Sequence, residues 1–320
     1  MVKNLPDLMK KFSDEAACRD FLVQQRWNGV PECPYCGCRE SYKIEGGKRL
    51  KCANKECWKK YSVTVGTIFE ASNIPLTKWF AAMYILTAHK KGISSVQLAK
   101  DVGITQKSSW FLLHRIRQSL KETNPLMLVK EVQVDEAYIG GEEKNKHKEK
   151  RNKSVIGKGG KIPIVGLIET GGQVVTKVMP WVTKNNIMQM FDLHVCRKAT
   201  LVTDSNPVYI RPGKKYEHVI VNHSEQQFKI GKHHTNGIEN YWSLLKRGLH
   251  GIYHTVSGKH LQRYCDEFAY RFNSRTLSDG FRWALAFHRI DGRLTYNQLV
   301  YGKSQENQTG KDIETIQTGE

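Results

Sequence analysis

The sequence predicts an α/β protein in which a mixed central sheet with flanking helices follows a small cysteine-rich ribbon and a helical module. Three observations predict it. Six of the eight cysteines crowd between Cys18 and Cys57, apolar residues recur at helical spacing from 76 to 120, and from residue 131 the chain turns to short β-like runs. In that last part EVQVDEAYIGG, KIPIVGLIET and GQVVTKVMPWV read as strands, the second and third joined by a Gly171-Gly172 turn. NNIMQMFDLHVC reads as a helix, ATLVTDS and HVIVNHS as strands, and NGIENYWSLLKRGLHGI as a long helix. Three antiparallel strands, then helix, strand, helix, strand and helix is the order of an RNase H-like α/β domain. The resulting division is an N-terminal helix and ribbon over 1–70, a helical module over 71–125, the α/β domain over 126–300 and a polar, disordered tail over 301–320.

Charge narrows the partners. The 320 residues carry 50 Lys+Arg against 31 Asp+Glu, a formal charge of +19. An excess this large points to a polyanion, nucleic acid or an acidic membrane surface. No stretch approaches the ~20 apolar residues of a membrane span, and the N-terminus lacks the apolar core of a signal peptide. A soluble, cytoplasmic protein is expected.

Cysteines clustered in such a chain favour a metal over disulfides. Cys33-Pro-Tyr-Cys36 and Cys52-Ala-Asn-Lys-Glu-Cys57 each sit in a short turn, and ESYKIEGGKRLKC between them reads as a hairpin turning at Gly46-Gly47. Four thiolates so placed form a closed structural Zn²⁺ site. Cys38 is an alternative ligand, and Cys18, in an amphipathic stretch, reads as a helix core residue. The surface lysines of the ribbon suit either a DNA contact or a merely solvated face.

Residues 76–92 read as one helix ending at Gly92. SSVQLAKDVGITQKSSWFLLHRIRQSL then gives a helix capped by Ser94 or Ser95, a turn at Val102-Gly103-Ile104 and a second helix. Ala99, Gly103 and Trp110 or Leu113 suit the packing of a helix-turn-helix, which puts Thr105, Gln106, Lys107 and Ser108 at the start of the recognition helix. The same pattern fits a three-helix packing unit that never meets DNA.

The acids carry the chemistry. Asp135 lies on the first strand of the α/β domain, Asp204 ends the fourth, and Glu239 stands near the start of the long helix. An RNase H-like fold converges those positions on one sheet edge. Carboxylates gathered there repel one another unless cations intervene, and hard oxygen ligands suit two Mg²⁺ or Mn²⁺ ions. Lys246 falls two turns after Glu239 on the same helix face, placed to hold a phosphate. Glu136 points to the other face of its strand. Asn236 and Asn240 flank Glu239 and are further possible ligands. The basic run 144–161, with Lys150, Arg151 and Lys153, and Arg247, Lys259, Arg263 and Arg271 are candidate DNA contacts, as are His223, His233 and His234. Tyr264, Phe268, Tyr270 and Phe272 read as core.

DEAYIGG with its lysine-rich continuation, LVTDSNPVY, VNHSEQQF and HHTNGIENYWSLLKRGLHGIYHTVSGKHLQRYCDEFAYRFNSR together resemble a bacterial insertion-sequence transposase. The group is ISXO-like, with an N-terminal zinc ribbon, a helix-turn-helix and a DDE-type domain with a trailing lysine. The resemblance covers roughly residues 10–295 and is most specific from His234 to Arg275. It implies metal-dependent phosphodiester hydrolysis and strand transfer on double-stranded DNA (the element's terminal inverted repeats and a target). It also implies a homo-oligomer on paired ends, associated with the bacterial nucleoid. By position it puts the first two acids at Asp135 and Asp204 and the motif lysine at Lys246. The third acid, which varies among Glu, Asn and His in the group, falls at Glu239, with Asn236 in reserve. A DNA-binding regulator with an inactive domain of this fold, or a nuclease that does not join strands, are the alternative readings.

Overall fold

The computed structural model describes residues 2–122, 124, 126–141, 160–222, 229–231 and 233–302. Two short helices, α1 (Leu5–Lys11) and α2 (Glu15–Trp27), open the chain, each started by an Asn4 or Asp14 side chain that accepts a first-turn N–H. The ribbon follows as β1 (Ser41–Ile44), β2 (Arg49–Cys52) and β3 (Lys60–Tyr61), an antiparallel sheet in that order. Gly46 and Gly47, both at positive φ, make the predicted turn.

Helix α3 (Leu76–Ala88) is buried nearly all round. Helices α4 (Ser95–Val102) and α5 (Gln106–Ser119) form the expected pair. Ser94 and Thr105 cap their N-termini, and Gly103, left-handed at φ 64°, ends the first. Leu113 supplies the packing in this pair, whereas Trp110 is only half-buried and lies against His114 and His260.

The α/β domain holds β4 (Glu131–Ile139), β5 (Ile162–Glu169), β6 (Val174–Val178), α6 (Lys184–His194), β7 (Thr200–Asp204), α7 (Pro207–Gly213), β8 (Glu217–Val221), α8 (Asn236–Gly248) and α9 (Gly258–Asn273). The sheet order is β6-β5-β4-β7-β8, with β4, β5 and β6 antiparallel and β4, β7 and β8 parallel. This is the expected mixed sheet. Its central strands are buried on both faces. Val132, Val134, Val165 and Leu167 pack on Met190, Phe191 and Tyr209 of α6 and α7, while Ala137, Ile164 and Ile168 pack on Ile238, Tyr241, Trp242 and Phe268 of α8 and α9.

Edge strand β6 is closed by side chains of α9 that imitate a neighbouring strand. Asn273 accepts from Val174 N–H (2.7 Å) and donates to its carbonyl (3.0 Å), and Gln262 does the same for Val178 N–H (2.7 Å) and the Thr176 carbonyl (3.1 Å). Tyr264, Phe268 and Tyr270 are core, as expected.

Helices α10 (Asp279–Phe287) and α11 (Tyr296–Tyr301) end the described chain. Helix α10 returns to the N-terminal half: Trp283 and Phe287 join Leu8, Phe12, Leu22, Phe80 and Leu113 in one core. The packing therefore crosses the sequence-based limits at 70 and 126. Arg271, expected along a DNA path, is instead buried, ion-paired to Glu267 and donating to the carbonyls of Leu86 and His89, both at 2.8 Å. Lys259 donates to the Val300 carbonyl (2.9 Å), and Arg263 contacts His260.

His114 and His260 meet under α5 and α9. Burial, reinforced by Arg117, pushes His114 down to about 2, and burial with Arg263 pushes His260 down to about 4. The fold thus holds both rings neutral, and on unfolding they regain an ordinary affinity for protons. Below pH ~6.5 the unfolded chain binds more protons, so stability falls as pH falls. Between pH 6.5 and 4 the two rings are expected to pull the urea midpoint down, against the buried Asp135 and Asp266 carboxyls, whose raised proton affinity acts in the opposite direction. His114→Phe, which keeps a ring against Trp110 and Tyr264, should flatten that decline; an unaltered slope would refute the assignment.

Gly166 faces Asp135 across β4–β5 and carries the Trp242 indole directly over its backbone. A Cβ there would come within 2.6 Å of Trp242 and 2.8 Å of Ile238. Gly166→Ala should therefore destabilise the domain by about 1–3 kcal/mol in denaturant titration, the usual effect of overpacking.

Candidate active site and metal centre

Alternation along β4 sends Val132 and Val134 to the α6 side and Gln133, Asp135 and Ala137 to the α8 side. Strand β7 runs parallel beside it with Thr203 opposite Val134, so Asp204 occupies the next register position, alongside Asp135 and on the same face. Helix α8 crosses this face. Its Thr235 side chain accepts no first-turn backbone N–H; Gln133 Oε1 accepts the Ile238 N–H (3.1 Å) instead.

Each carboxylate has a fixed donor. Trp242 Nε1 donates to Asp135 Oδ2 (3.1 Å), the Asn206 N–H to Asp204 Oδ1 (3.0 Å), and Thr235 Oγ1 to Glu239 Oε1 (2.8 Å). Burial pushes the Asp135 carboxyl up to about 7, and the negative charges of Glu136 and Asp204 add to the rise, against the Glu136 backbone N–H and the Trp242 indole. A proton or a cation is what such a carboxylate lacks, and hard oxygen donors with this charge deficit fit a divalent ion. Glu239, Trp242 and Lys246 share one stripe of α8 by their spacing, with Asn236 at its first turn; Asn236, Glu239, Lys246 and Arg247 are all exposed. The structure thus sets Asp135 beside Asp204 and puts Glu239 and Lys246 on the helix whose Trp242 touches Asp135.

Two supporting elements are not evident in the sequence alone. Trp242 is not singled out there, although its place three residues after Glu239 and four before Lys246 was a usable signal. Glu136 does face the other side of the strand, yet it accepts from Asn206 Nδ2 (2.8 Å) and from the Tyr209 hydroxyl, so the loop after Asp204 is tied to the strand of Asp135.

Cys33, Cys36, Cys52 and Cys57 form the second centre. Their Sγ atoms all lie within 4.8 Å of one another, with Cys33–Cys57 at 3.8 Å and Cys36–Cys52 at 3.5 Å. A tetrahedron with Zn–S bonds of roughly 2.3 Å has S–S edges of about 3.8 Å, so the set fits zinc. Among the described residues this is the one group of three or more metal-ligating side chains gathered so closely. Cys38 stands outside it, its thiol on the Glu40 carbonyl, and Cys18 is buried in α2.

Of the candidate DNA contacts, Thr105, Gln106 and Lys107 are exposed at the start of α5. Thr105 caps the helix through Ser108 N–H, Gln106 donates to Ser95, and the Lys107 ammonium lies 5.4 Å from the Tyr296 ring. His233 bonds Glu131 (2.6 Å), and His234 Nδ1 is buried without a hydrogen-bond partner. Lys150, Arg151, Lys153 and His223 lie outside the described residues.

Comparison with known proteins finds two domain matches and one related chain. Residues 127–273 match the ISXO2-like transposase domain, and residues 13–60 match the transposase zinc-ribbon domain. The chain is 26% identical over 279 residues to an uncharacterized protein in transposable element ISH50 of Halobacterium salinarum, across 82% of this chain and 92% of that one. It also aligns with a chain of the simian T-cell lymphotropic virus intasome solved in complex with the PP2A regulatory subunit B56 gamma. That alignment has a TM-score of 0.27 and 11% identity, over 55% of this chain and 63% of the other, less than two thirds of its length. In this order the chain carries a transposase zinc-ribbon domain and an ISXO2-like transposase domain of RNase H-like fold.

Proposed function

We propose that the protein binds the ends of its own insertion sequence and cuts and joins DNA there with divalent cations. The observation that carries this reading is the in-register pair Asp135 and Asp204 on adjacent parallel strands, under the helix that bears Glu239 and Lys246. Asp135, Asp204 and Glu239, with Asn236 in reserve, would hold two Mg²⁺ or Mn²⁺ ions. Bound there, the ions activate an attacking hydroxyl and stabilise a leaving oxygen.

The chain's own groups do the rest. Trp242 keeps Asp135 in position, Asn206 keeps Asp204, and Lys246 holds a non-bridging oxygen of the scissile phosphate. In the first step a water oxygen bonds to phosphorus and loses a proton to solvent, while the P–O3′ bond breaks and the departing O3′ takes up a proton. In the second the freed 3′-hydroxyl oxygen bonds to a target phosphorus and loses its proton to solvent, while the target's own P–O3′ bond breaks and its O3′ takes up a proton. Thr105, Gln106, Lys107 and Ser108 would read the end sequence in the major groove, while Lys150, Arg151, Lys153 and Arg247 contact backbone. Joining two ends calls for at least two copies on paired DNA.

The test is nicking of labelled DNA carrying the gene's own flanks. Wild type with Mg²⁺ or Mn²⁺ should nick at a discrete position and then yield joined products, and a chelator should abolish both. Asp204→Asn, which removes one ligand charge and keeps the shape, should lower the rate by about 10²-fold or more with unchanged end binding. Nicks without joined products would leave a nuclease, and equal binding without nicking by either protein would leave a regulator.

The zinc ribbon gives a separate expectation. Its core is Leu50, Tyr61 and two of the cysteines, with Trp27 against them, too little to fold on burial alone. Cys52→Ser should lower bound zinc from about one ion per chain to near zero by elemental analysis. It should also weaken end binding while the main unfolding transition persists.

A further inference from the structure

The ribbon sheet has two unlike faces. Leu50, Cys52 and Tyr61 turn inward to the cysteines and Trp27. The other face sets Tyr42, Lys51 and Lys60 in one row across all three strands, since Tyr42 pairs with Lys51 and Lys51 with Lys60. Trp58 lies over that row, edge-on to Tyr42 at 6.3 Å, with the Lys51 ammonium 3.8 Å from its ring centre. Tyr35, on the first cysteine turn, repeats the pairing with Lys59 at 4.9 Å.

These rings are not there to fill a core. Trp58 is 47% exposed, Tyr42 57% and Tyr35 50%, on a module whose apolar side is already occupied. Trp58 also adopts a left-handed backbone, φ 48°, which a bulky residue rarely does. The strain is retained at the residue that presents the ribbon's largest exposed ring. Lysines alone would serve a phosphate backbone. Exposed aromatic faces interleaved with lysines serve bases as well, and a base offers its π-face only when it has left the duplex stack.

We propose that this outer face of the ribbon is a stacking platform for unpaired bases: Trp58 and Tyr42 receive them, and Lys51 and Lys60 hold the accompanying phosphates. The proposal rests on the transposase reading, in which cutting one strand at an element end lets its terminal bases unstack. It makes the ribbon a reader of opened DNA, whereas α5 reads the duplex.

The experiment uses the full zinc-loaded chain and fluorescence anisotropy with two probes, an oligothymidylate of about 20 nucleotides and a random duplex of about 20 base pairs. Trp58→Ala is expected to weaken oligothymidylate binding about tenfold, as loss of one stacked base does. Trp58→Phe should recover most of it, and duplex affinity should change less than twofold. Tyr42→Ala should repeat the selective loss, and it decides the matter if Trp58→Ala fails to retain zinc. Unchanged oligothymidylate affinity in a zinc-replete variant, or equal loss on both probes, overturns the proposal. The wild-type nicking assay judges the transposase reading independently. A protein that nicks its ends but shows no Trp58-dependent preference for single strands loses only the platform, and one with that preference that never nicks loses only the chemistry.

Discussion

Glu267 is the charge on which the arrangement of this molecule depends. It is fully buried on α9, where burial alone would raise its carboxyl; the guanidiniums of Arg271 and Arg117 and the Tyr253 hydroxyl outweigh that and hold it below the ordinary range. Each partner comes from a different place. Arg117 is on α5, Tyr253 lies in the π-helical turn that follows α8, and Arg271 carries on to the carbonyls that end α3. A buried ion pair adds little net stability compared with an apolar packing of the same volume, but a partner lost from it strands a charge in the core. The network therefore selects one relative placement of the helical module and the α/β domain. Gly92 shows how closely: a Cβ there would come within 2.1 Å of the Tyr253 hydroxyl oxygen.

The carboxylate site uses the same economy of space. Because Gly166 has no side chain, the Trp242 indole lies on β5 and reaches across to Asp135. Because β4 and β7 run parallel in register, Asp204 arrives beside Asp135 with no special loop. What remains unfavourable is the charge. Burial and two neighbouring carboxylates raise Asp135, and this is the imbalance that a divalent ion relieves. The site is stable in shape and unsatisfied in charge, a combination suited to groups that must bind ions and release products.

How much of this was legible follows from which forces act locally. The strand and helix order, the Gly46-Gly47 and Gly171-Gly172 turns, the cap at Ser94 or Ser95 and the four cysteines all rest on short-range periodicity, capping or ligand spacing, and the structure repeats them, with Ser94 as the cap. Asp135 and Asp204 were legible because each marks a definite place on a strand. The return of α10 to the N-terminal core was not, since its apolar stripe says that a face is buried but not against what. Arg271 read as a DNA contact because a lone arginine on an amphipathic helix normally faces solvent; only the three-dimensional position of Glu267 and two helix-end carbonyls makes a buried place for it. Trp242 was hidden for a related reason: an indole at core spacing gives no sign that its N–H has a carboxylate to serve.

The ribbon shows how two kinds of stabilisation divide one task. Its inner core is too small to fold unaided, so metal ligation supplies the folding energy. Metal ligation, though, says nothing about where the ribbon points. That is set at its base, where the Arg26 guanidinium donates to the Val63 carbonyl and pairs with Asp291 (3.6 Å), and where Ile68 N–H bonds the Ile290 carbonyl (2.8 Å). Ile290 and Asp291 lie three and four residues past the end of α10, so the chain that closes the helical core also anchors the ribbon to it. Zinc makes the ribbon rigid and the helical core aims it. A rigid ribbon held at a set angle can then leave its outer face, with Trp58 and Tyr42, free of any structural duty within the fold.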